Sequence, residues 1–497
     1  MSKSIWPKAS SLRVDRSLAA HTAMGLVISA ILYIICVSGT LAVFEDELGW
    51  WERPNAPKVT ETEVTPQLVT NAANAVMEAD PDTTHLYLYL PRENWPRLVI
   101  GGDDGLYSAD AEGNPVGAYE TPWNSFLINL HYYLHLPTSI GMIIVAIFGV
   151  MMLGMAISGF LAHPKIFRDA FRLKMSGQQR LGQADLHNRI SVWTAPFHIL
   201  VAGTGAVIGL FVVVAFLLAQ TSFGGDNRAL TEAIFGSEPA PDSTSAPLAN
   251  IGGAFETMDD VATGHLPFLI VVHDPTTAGQ HIEIMAEHSD RLIYSENYAF
   301  NAQGAFEGTA GYSDGEAGKQ IAYSTYRLHF GDFGGTAMKL TYFFLGILMC
   351  VMVATGLNIY FLKQSEKGRP KPRLAAGWSA IVWGAPALMI ATLPLAMLGV
   401  GEVLLTVVFW IGLIAMTLAG FLNANASGIG VIIRKLAGGL MVLTGVIHGA
   451  VFFDALSNSI ILASDLGLVL GGLGLAIGPV WRTPSRANKA ATPVPAE

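Results

Sequence analysis

Eight long runs of uncharged, mostly apolar residues limit what this chain can fold into. The hydrocarbon core of a bilayer is about 30 Å thick, so a helix that crosses it needs roughly 20 apolar residues. Such runs predict an all-α polytopic membrane protein, and they lie at 18–44, 136–162, 190–219, 337–362, 377–400, 403–423, 435–455 and 458–480. Only 14% of the residues are charged, against about 25% in soluble domains. The first run is too long for a signal peptide and is predicted to remain as an anchor.

The charged residues are divided unequally between the connecting segments. Segments 45–125 and 221–330 hold 30 of the 39 acidic residues and only 8 of the 29 basic residues. Most of the remaining basic residues lie in the two terminal tails and in loops 163–189 and 363–373. Lys and Arg favour the cytoplasmic side of a membrane. Eight spans with both termini in the cytoplasm are therefore predicted, with the acidic segments on the other side.

Each acidic segment has the pattern of a small α+β domain. In the first, residues 65–77 have an amphipathic helical pattern, and residues 85–90 alternate as a half-buried strand does. In the second, residues 255–262 have a helical pattern and residues 268–272 form an apolar run typical of a strand. Two separate α+β domains are therefore predicted outside the cytoplasm.

The predicted domain order combines these spans and segments. It is a cytoplasmic tail (1–17), TM1 (18–44), a first extracytoplasmic domain (45–125), TM2 (126–162), a cytoplasmic loop (163–189), TM3 (190–219), a second extracytoplasmic domain (220–330), TM4 (331–362), a cytoplasmic loop (363–376), an appended bundle of four spans (377–480) and a cytoplasmic tail (481–497).

The first four predicted spans have recurring features. His21 is followed by Gly39 eighteen residues later, and His187 is followed by Gly205 at the same spacing. The other two spans begin with Leu-His, at 130–131 and 328–329, and end with Ser-Gly or Thr-Gly, at 158–159 and 355–356. Such self-similarity indicates an internal repeat. The first four helices are therefore predicted to form a two-fold repeated core, to which spans five to eight are appended.

Several motifs in this part of the chain are those of a known family. They are Arg16, His21, Gly25 and Ser38-Gly39, then Asp185-Leu186-His187-Asn188-Arg189, Pro196-Phe197-His198, and Leu328-His329-Phe330-Gly331-Asp332-Phe333-Gly334-Gly335. Over residues 12–362 the sequence resembles the PepSY-associated transmembrane proteins, which include iron-regulated membrane proteins and siderophore reductases. The resemblance implies a haem-b-containing reductase of the bacterial inner membrane, with PepSY-like periplasmic domains. It also implies that electrons pass outward to a ferric siderophore or another Fe(III) complex.

Histidines in and near the predicted spans are the candidate ligands of that haem. Ionisable side chains in a membrane core are costly, so they are functional candidates. Two neutral imidazoles on facing helices can hold a haem iron. The predicted iron ligands are drawn from His21, His131, His135, His187, His198 and His329.

The pairing of these histidines stays partly open in the sequence. At the external side, His329 is predicted to pair with either His131 or His135, which lie four residues apart on one helix face. At the cytoplasmic side, symmetry favours His21 with His187. Two haem groups are predicted, because electron transfer across about 30 Å of hydrocarbon would be too slow in one step.

His198 offers a second arrangement on the cytoplasmic side. It lies eleven residues beyond His187, or about 16 Å deeper at helical rise, and this depth suits a haem near the middle of the membrane.

More than one role is possible for several other polar residues and for the recurring glycines. Arg327 is interpreted as a partner for a haem propionate or another anion, and Arg97 as a weaker candidate. His163 is interpreted as interfacial, and His448 as either a ligand or a core residue. The recurring glycines permit close approach of either a helix or a porphyrin face. The histidines of the acidic segments fit no compact metal motif and are predicted to be solvated; they are His85, His265, His273, His281 and His288.

The predicted activity is that of a transmembrane ferric reductase. No dinucleotide-binding motif follows a strand, and the cytoplasmic loops are too short for a flavin or nicotinamide domain. The electron donor is therefore predicted to be membrane quinol or a separate cytoplasmic reductase. Two other classes stay open, a transporter of iron chelate or another solute and a membrane-anchored PepSY-type regulatory or binding protein. No nucleic-acid partner is predicted.

Overall fold

The computed structural model describes residues 10–163, 166, 179–235 and 241–478. Three predicted segments are not fully described. The C-terminal tail (481–497) lies wholly outside these residues, and the N-terminal tail (1–17) and the loop 163–189 lie partly outside them. The described helices are α1 (Ser11–Ala42), α2 (Glu45–Glu52), α3 (Pro66–Ala79), α4 (Pro122–Tyr133), α5 (Thr138–Ala162), α6 (Gln179–Trp193), α7 (Ala195–Gly209), α8 (Phe211–Ser222), α9 (Asn227–Phe235), α10 (Ile251–Val261), α11 (Ala317–Phe330), α12 (Gly335–Glu366), α13 (Pro372–Met397), α14 (Glu402–Asn423), α15 (Ala426–Val451) and α16 (Ser459–Ile477). The described strands are β1 (His85–Tyr89), β2 (Leu98–Gly102), β3 (Gly105–Ala109), β4 (Pro115–Ala118), β5 (Leu266–His273), β6 (His281–Glu287), β7 (Glu296–Phe300) and β8 (Phe306–Thr309).

Seven of the described helices are long and apolar enough to cross a membrane, namely α1, α5, α12, α13, α14, α15 and α16. Each contains an 18-residue stretch with no more than two charged residues, as a hydrocarbon core of about 30 Å requires. The prediction of a largely helical membrane protein is confirmed. An eighth crossing is obtained if the bent pair α6 and α7 counts as one span.

The predicted span at 190–219 is divided among three helices in the structure. The chain bends by 67° between α6 and α7, and α8 starts after a second break at Leu210. Pro196 lies in the first turn of α7, where its missing N–H favours the start of a helix rather than its continuation. α6 is polar, with Arg189 donating to Asp185 at 2.7 Å. The apolar residues of this region are therefore carried by α7 and α8.

The strands of both acidic segments pair into a single antiparallel sheet, in the order β4-β3-β2-β1-β5-β6-β7-β8. β1 of the first segment pairs with β5 of the second, with Leu88 opposite Ile270. Both residues are fully buried, as are Leu86 and Val272 on the same face, because α3 and α10 pack there. The two domains that the sequence predicts as separate therefore share one sheet and one hydrophobic core.

Short helices fix this sheet domain to the membrane helices. The Glu52 carboxylate at the end of α2 accepts hydrogen bonds from the backbone N–H groups of Trp123 (2.8 Å) and Asn124 (2.9 Å). These donors lie in the first turn of α4, where a negative charge is favourable. In addition, the buried Lys339 ammonium on α12 donates to the buried Glu47 carboxylate on α2 at 2.9 Å. α2 is thereby tied to one helix from each half of the chain.

The last four helices, α13 to α16, pack on one another and against α1, α2 and α4. A buried polar cluster contributes to this attachment. The Asp465 carboxylate accepts from Trp51 Nε1 at 2.8 Å and from His448 Nδ1 at 2.9 Å. His448 Nε2 donates to the Trp51 carbonyl at 2.9 Å, and the two rings stack at 4.1 Å. Both nitrogens of His448 are thus used, which makes it a core residue and not a ligand.

This cluster yields a stability prediction. Asp465→Ala leaves two buried donors without their acceptor, and breaking a buried pair of this kind costs about 3–5 kcal/mol. We expect a clearly lower melting temperature of the detergent-purified protein, measured by tryptophan fluorescence. Asp454→Ala is the matched control because Asp454 is exposed in the same region. Equal melting temperatures of the two variants would contradict the prediction.

Candidate functional site

Four of the predicted histidines form two pairs among the core helices. The rings of His131 on α4 and His329 on α11 have centroids 6.2 Å apart at an interplanar angle of 18°. The rings of His21 on α1 and His187 on α6 have centroids 6.4 Å apart at 79°. A metal–imidazole bond is about 2.0 Å long, and the ring centroid lies about 1 Å behind the nitrogen, so one metal ion holds two imidazole centroids about 6 Å apart. Both pairs have that spacing.

Hydrogen bonds fix the orientation of these four rings. Nδ1 lies within 3.0 Å of the Met155 carbonyl in His21, the Ile35 carbonyl in His131 and the Met352 carbonyl in His187. A carbonyl only accepts, so Nδ1 carries the proton and Nε2 keeps its lone pair.

His329 is fixed by a hydroxyl group. Its Nδ1 lies 3.0 Å from the Thr204 hydroxyl, which already donates to the Leu200 carbonyl and therefore accepts from the ring. In all four histidines Nε2 has no hydrogen-bond partner among the residues that the structure describes. This is the arrangement of metal-binding imidazoles, in which one nitrogen is oriented by a hydrogen bond and the other binds.

The recurring glycines lie against these imidazoles. A Cβ added at Gly205 on α7 would lie 2.7 Å from Cε1 of His329, and one added at Gly39 on α1 would collide with the His131 ring. The other pair shows looser contacts of the same kind, with 3.3 Å between Gly159 and His21 and 3.2 Å between Gly356 and His187. The glycines thus provide room for the edges of the histidine rings, a role that neither of the sequence-based alternatives named.

An apolar cavity of about 280 Å³ lies beside the His131–His329 pair. Both histidines and both adjacent glycines line it, and aromatic and methionine side chains such as Phe148, Phe197, Met152, Tyr342 and Met349 complete its walls. An apolar cavity with a few convergent polar groups is typical of a cofactor site. The donor set, the spacing and the glycine contacts all fit a haem held between the two imidazoles.

A second cavity of about 540 Å³ adjoins the first. Tyr132, Tyr326 and Phe330 line both cavities. The far walls of the second cavity include Met285 and Tyr294 of the sheet domain. It therefore lies between the sheet domain and the His131–His329 pair.

The cations of this second cavity are already paired. Arg92 lies 3.2 Å from Asp46, Lys339 binds Glu47, and Arg327 binds Glu287. Glu45 and Asp332 also line the cavity, so its wall carries both positive and negative side chains. No cluster of unpaired cations is therefore present among the described lining residues to bind a strongly anionic ligand.

Two carboxylates that line the second cavity, those of Glu45 and Asp332, have no hydrogen-bond or ion-pair partner among the described residues. Burial and the neighbouring Asp46 raise the pKa of Glu45 to about 7, against the opposing effects of Arg92 and Lys339. This carboxyl group therefore gains and loses a proton near neutral pH, beside the cavity.

The structure brings neither His135 nor His198 into a pair. His135 Nε2 donates to the Phe126 carbonyl at 2.9 Å, and its Nδ1 accepts from Trp410 Nε1 at 3.2 Å. With both nitrogens used, His135 is not a metal ligand in this arrangement. His198 is buried, and its Nδ1 lies 3.3 Å from the Thr194 hydroxyl one turn earlier. His198 thus belongs to neither of the two pairs, and its role as a deeper ligand stays a prediction.

The predicted anion-binding arginines contact protein groups instead. Arg327 binds the Glu287 carboxylate and lies 3.4 Å from the His288 carbonyl; it lines the second cavity and not the first. Arg97 donates to backbone carbonyls of the segment that follows α2, including that of Pro57 at 2.7 Å. Arg97 therefore has a structural role. His163 caps the end of α5.

Two histidines of the sheet domain are not dispersed as the sequence suggests. His265 and His288 stack with ring centroids 3.5 Å apart, and His288 is buried. The ligand atoms of these two residues and Asp290 all lie within 4.8 Å of one another. Sequence spacing concealed this group because its members flank the two paired strands β5 and β6.

Comparison with known proteins agrees with this architecture. A protein of Pseudomonas aeruginosa described as uncharacterised is 27% identical over 298 residues, which cover 55% of this chain and 73% of that protein. The family model described as the PepSY-associated TM region matches residues 18–363. This match includes both histidine pairs and the whole sheet domain, and the chain belongs to the PepSY-associated TM region family.

Proposed function

We propose that the protein is a transmembrane haem-b oxidoreductase that reduces a ferric siderophore or another Fe(III) complex. The observation that carries this proposal is the pair of bis-imidazole arrangements, with centroid spacings of 6.2 and 6.4 Å. Haem b, when bound, would supply one-electron transfer. His131 and His329 would hold one haem, and His21 and His187 would hold the other.

The two pairs are spaced for transfer across a bilayer. His21 and Gly39, the neighbour of His131, are eighteen residues apart on α1, which is about 27 Å at helical rise. Electrons would be taken up near the His21–His187 pair from membrane quinol or a separate cytoplasmic reductase. They would leave near the His131–His329 pair.

The orientation follows from charge. The basic tails and loops favour the cytoplasm, so we infer that the sheet domain lies in the periplasm and that the membrane is the bacterial inner membrane. The recurring His–Gly contacts support an origin of the first four spans as two duplicated halves.

The second cavity is the proposed site of the ferric complex. It adjoins the cavity of the His131–His329 pair, and its mixed charges suit a neutral or weakly charged complex better than a strongly anionic one. One electron converts Fe(III) to Fe(II), which oxygen chelators hold less tightly. The freed chelator oxygen takes up a proton, and Glu45 is placed to donate it.

The direct test is spectroscopic. Detergent-purified protein should be red, hold about two haem b per chain and show a low-spin spectrum. Haem reduced with dithionite should be reoxidised when ferrioxamine B, a ferric trihydroxamate, is added without oxygen. A colourless protein that moves the complex into liposomes would favour the transporter. A colourless protein that only binds it would favour the anchored binding protein.

Single histidine variants give a specific pattern. His329→Ala and His131→Ala should each lose about half of the haem, and His21→Ala and His187→Ala should each lose the other half, because each iron needs both its ligands. His135→Ala and His198→Ala are the matched controls and should keep the full haem content by the pyridine haemochrome assay. Loss of haem only in the control variants would reverse the assignment of ligands.

The glycine contacts give a second pattern. Gly205→Ala places a methyl group 2.7 Å from His329 Cε1, so the ring must move, and overpacking of this kind costs about 1–3 kcal/mol. We expect reduced haem content and a shifted potential for one of the two haems in redox titration. Gly203→Ala on the same helix is the control, since its added Cβ would meet nothing within 4 Å. Identical titrations of the two variants would exclude the proposed contact.

Glu45 predicts a pH dependence. With its pKa raised to about 7, Glu45 carries its proton below pH 7 and loses it above, so reduction of ferrioxamine B should slow as pH rises through 7. Glu45→Gln should lower the rate at pH 6 by about tenfold or more and remove this break, while haem content stays the same. Glu120→Gln, at an exposed glutamate, should behave as wild type. An unchanged break in Glu45→Gln would rule out this proton donor.

A further inference from the structure

We propose that His265, His288 and Asp290 form a binding site for a divalent transition-metal cation in the sheet domain. The site lies outside both histidine pairs and both cavities. If the proposed function holds, the natural occupant is Fe(II) released from the reduced complex; the existence of the site does not rest on that function.

The strand pairing brings the ligands together. β5 and β6 form an antiparallel hairpin in which Leu266 lies opposite Glu287, so His265 and His288 are the next residues outward on the two strands. Asp290 follows in the turn. The ligand atoms of all three lie within 4.8 Å of one another, and a cation with bonds of about 2.0–2.2 Å can be bound by all three once the two stacked rings rotate out of their parallel arrangement.

Both imidazoles have a nitrogen available for a metal. His265 Nδ1 is buried and has no hydrogen-bond partner in the described part of the chain, which is costly for a polar atom. His288 Nε2 lies 3.0 Å from the Tyr298 hydroxyl. This hydrogen bond orients the ring and leaves Nδ1 to bind, as in other metal-binding histidines.

The carboxylate of Asp290 is available to a cation. Asp290 lies 3.6 Å from Arg291, but both side chains are largely exposed, so this contact is weak and easily exchanged for a cation.

The donor set selects the class of cation. Two imidazoles with one carboxylate suit divalent iron, cobalt, nickel or zinc, whereas calcium and magnesium prefer oxygen donors alone. The site is also adjacent to the second cavity. Arg327 lines that cavity, binds Glu287 and lies 3.4 Å from the carbonyl of His288. A cation released from a complex in the cavity would therefore meet this site next to the cavity wall.

Co(II) binding to the full-length protein tests the proposal. Protein treated with a chelator is dialysed to equilibrium against Co(II), and the bound metal is counted by elemental analysis, which haem absorption does not disturb. We expect one Co(II) per chain, and an excess of Fe(II) without oxygen should compete for the same site, since Fe(II) binds such donors less tightly than Co(II) does. His265→Ala and His288→Ala should weaken binding roughly tenfold or more, and Asp290→Asn should weaken it less.

His85→Ala is the matched control, because His85 is a half-buried histidine of the same sheet outside this group, and it should bind as wild type does. His288 is buried, so its replacement can also destabilise the fold. If His288→Ala lowers the melting temperature, the metal site is judged from the Co(II) binding of His265→Ala and Asp290→Asn instead. Absence of stoichiometric Co(II), or equal binding by wild type and His265→Ala, would overturn the site.

The same measurements separate this inference from the proposed function. Red protein that fails to bind Co(II) overturns the metal site alone. Colourless protein with Co(II) binding that depends on His265 supports the site and overturns the haem proposal, and with it the assignment of Fe(II) as the occupant.

Discussion

The core of this protein depends on how four imidazoles are held between helices. Each ring is fixed by a hydrogen bond from Nδ1 and rests its edge on a glycine of a neighbouring helix, as His329 does on Thr204 and Gly205. Because a glycine has no Cβ, the ring can approach closely enough to pair with a second imidazole across a gap the size of one metal ion. The same contact joins two helices, so the site and the packing of the bundle are parts of one arrangement.

The sheet domain extends this arrangement beyond the membrane. The β1–β5 pairing joins two segments that are separated in sequence by two of the predicted spans, and α2 ties the joined domain to α4 and α12 through Glu52 and Glu47. The second cavity lies where these parts meet. Its cations are neutralised by neighbouring carboxylates, which leaves Glu45 and Asp332 without a partner among the described residues. Under the proposed function, substrate binding and proton supply would take place here, next to the His131–His329 pair.

The sequence predicted the helical membrane part well, because long apolar runs have few alternatives to crossing a bilayer. It also indicated the His21–His187 pair through the equal His–Gly spacings. It left His131 and His135 undecided, since residues four apart share a helix face. The structure separates them, because Trp410 on α14 and the carbonyl of Phe126, nine residues before His135, occupy both nitrogens of His135. The span predicted at 190–219 is broken in the structure, because hydropathy averages over a bend that begins next to Pro196.

The sequence by itself determined that this chain crosses a membrane, where its acidic segments begin and end, and which histidines were available. Hydropathy, charge and spacing are local properties, and a linear sequence records them directly. Only the tertiary structure decided that the two segments form one sheet, that Arg327 faces Glu287, and that His265 meets His288. These are contacts between residues far apart in the chain, and their partners depend on strand register and helix packing, which no local pattern specifies.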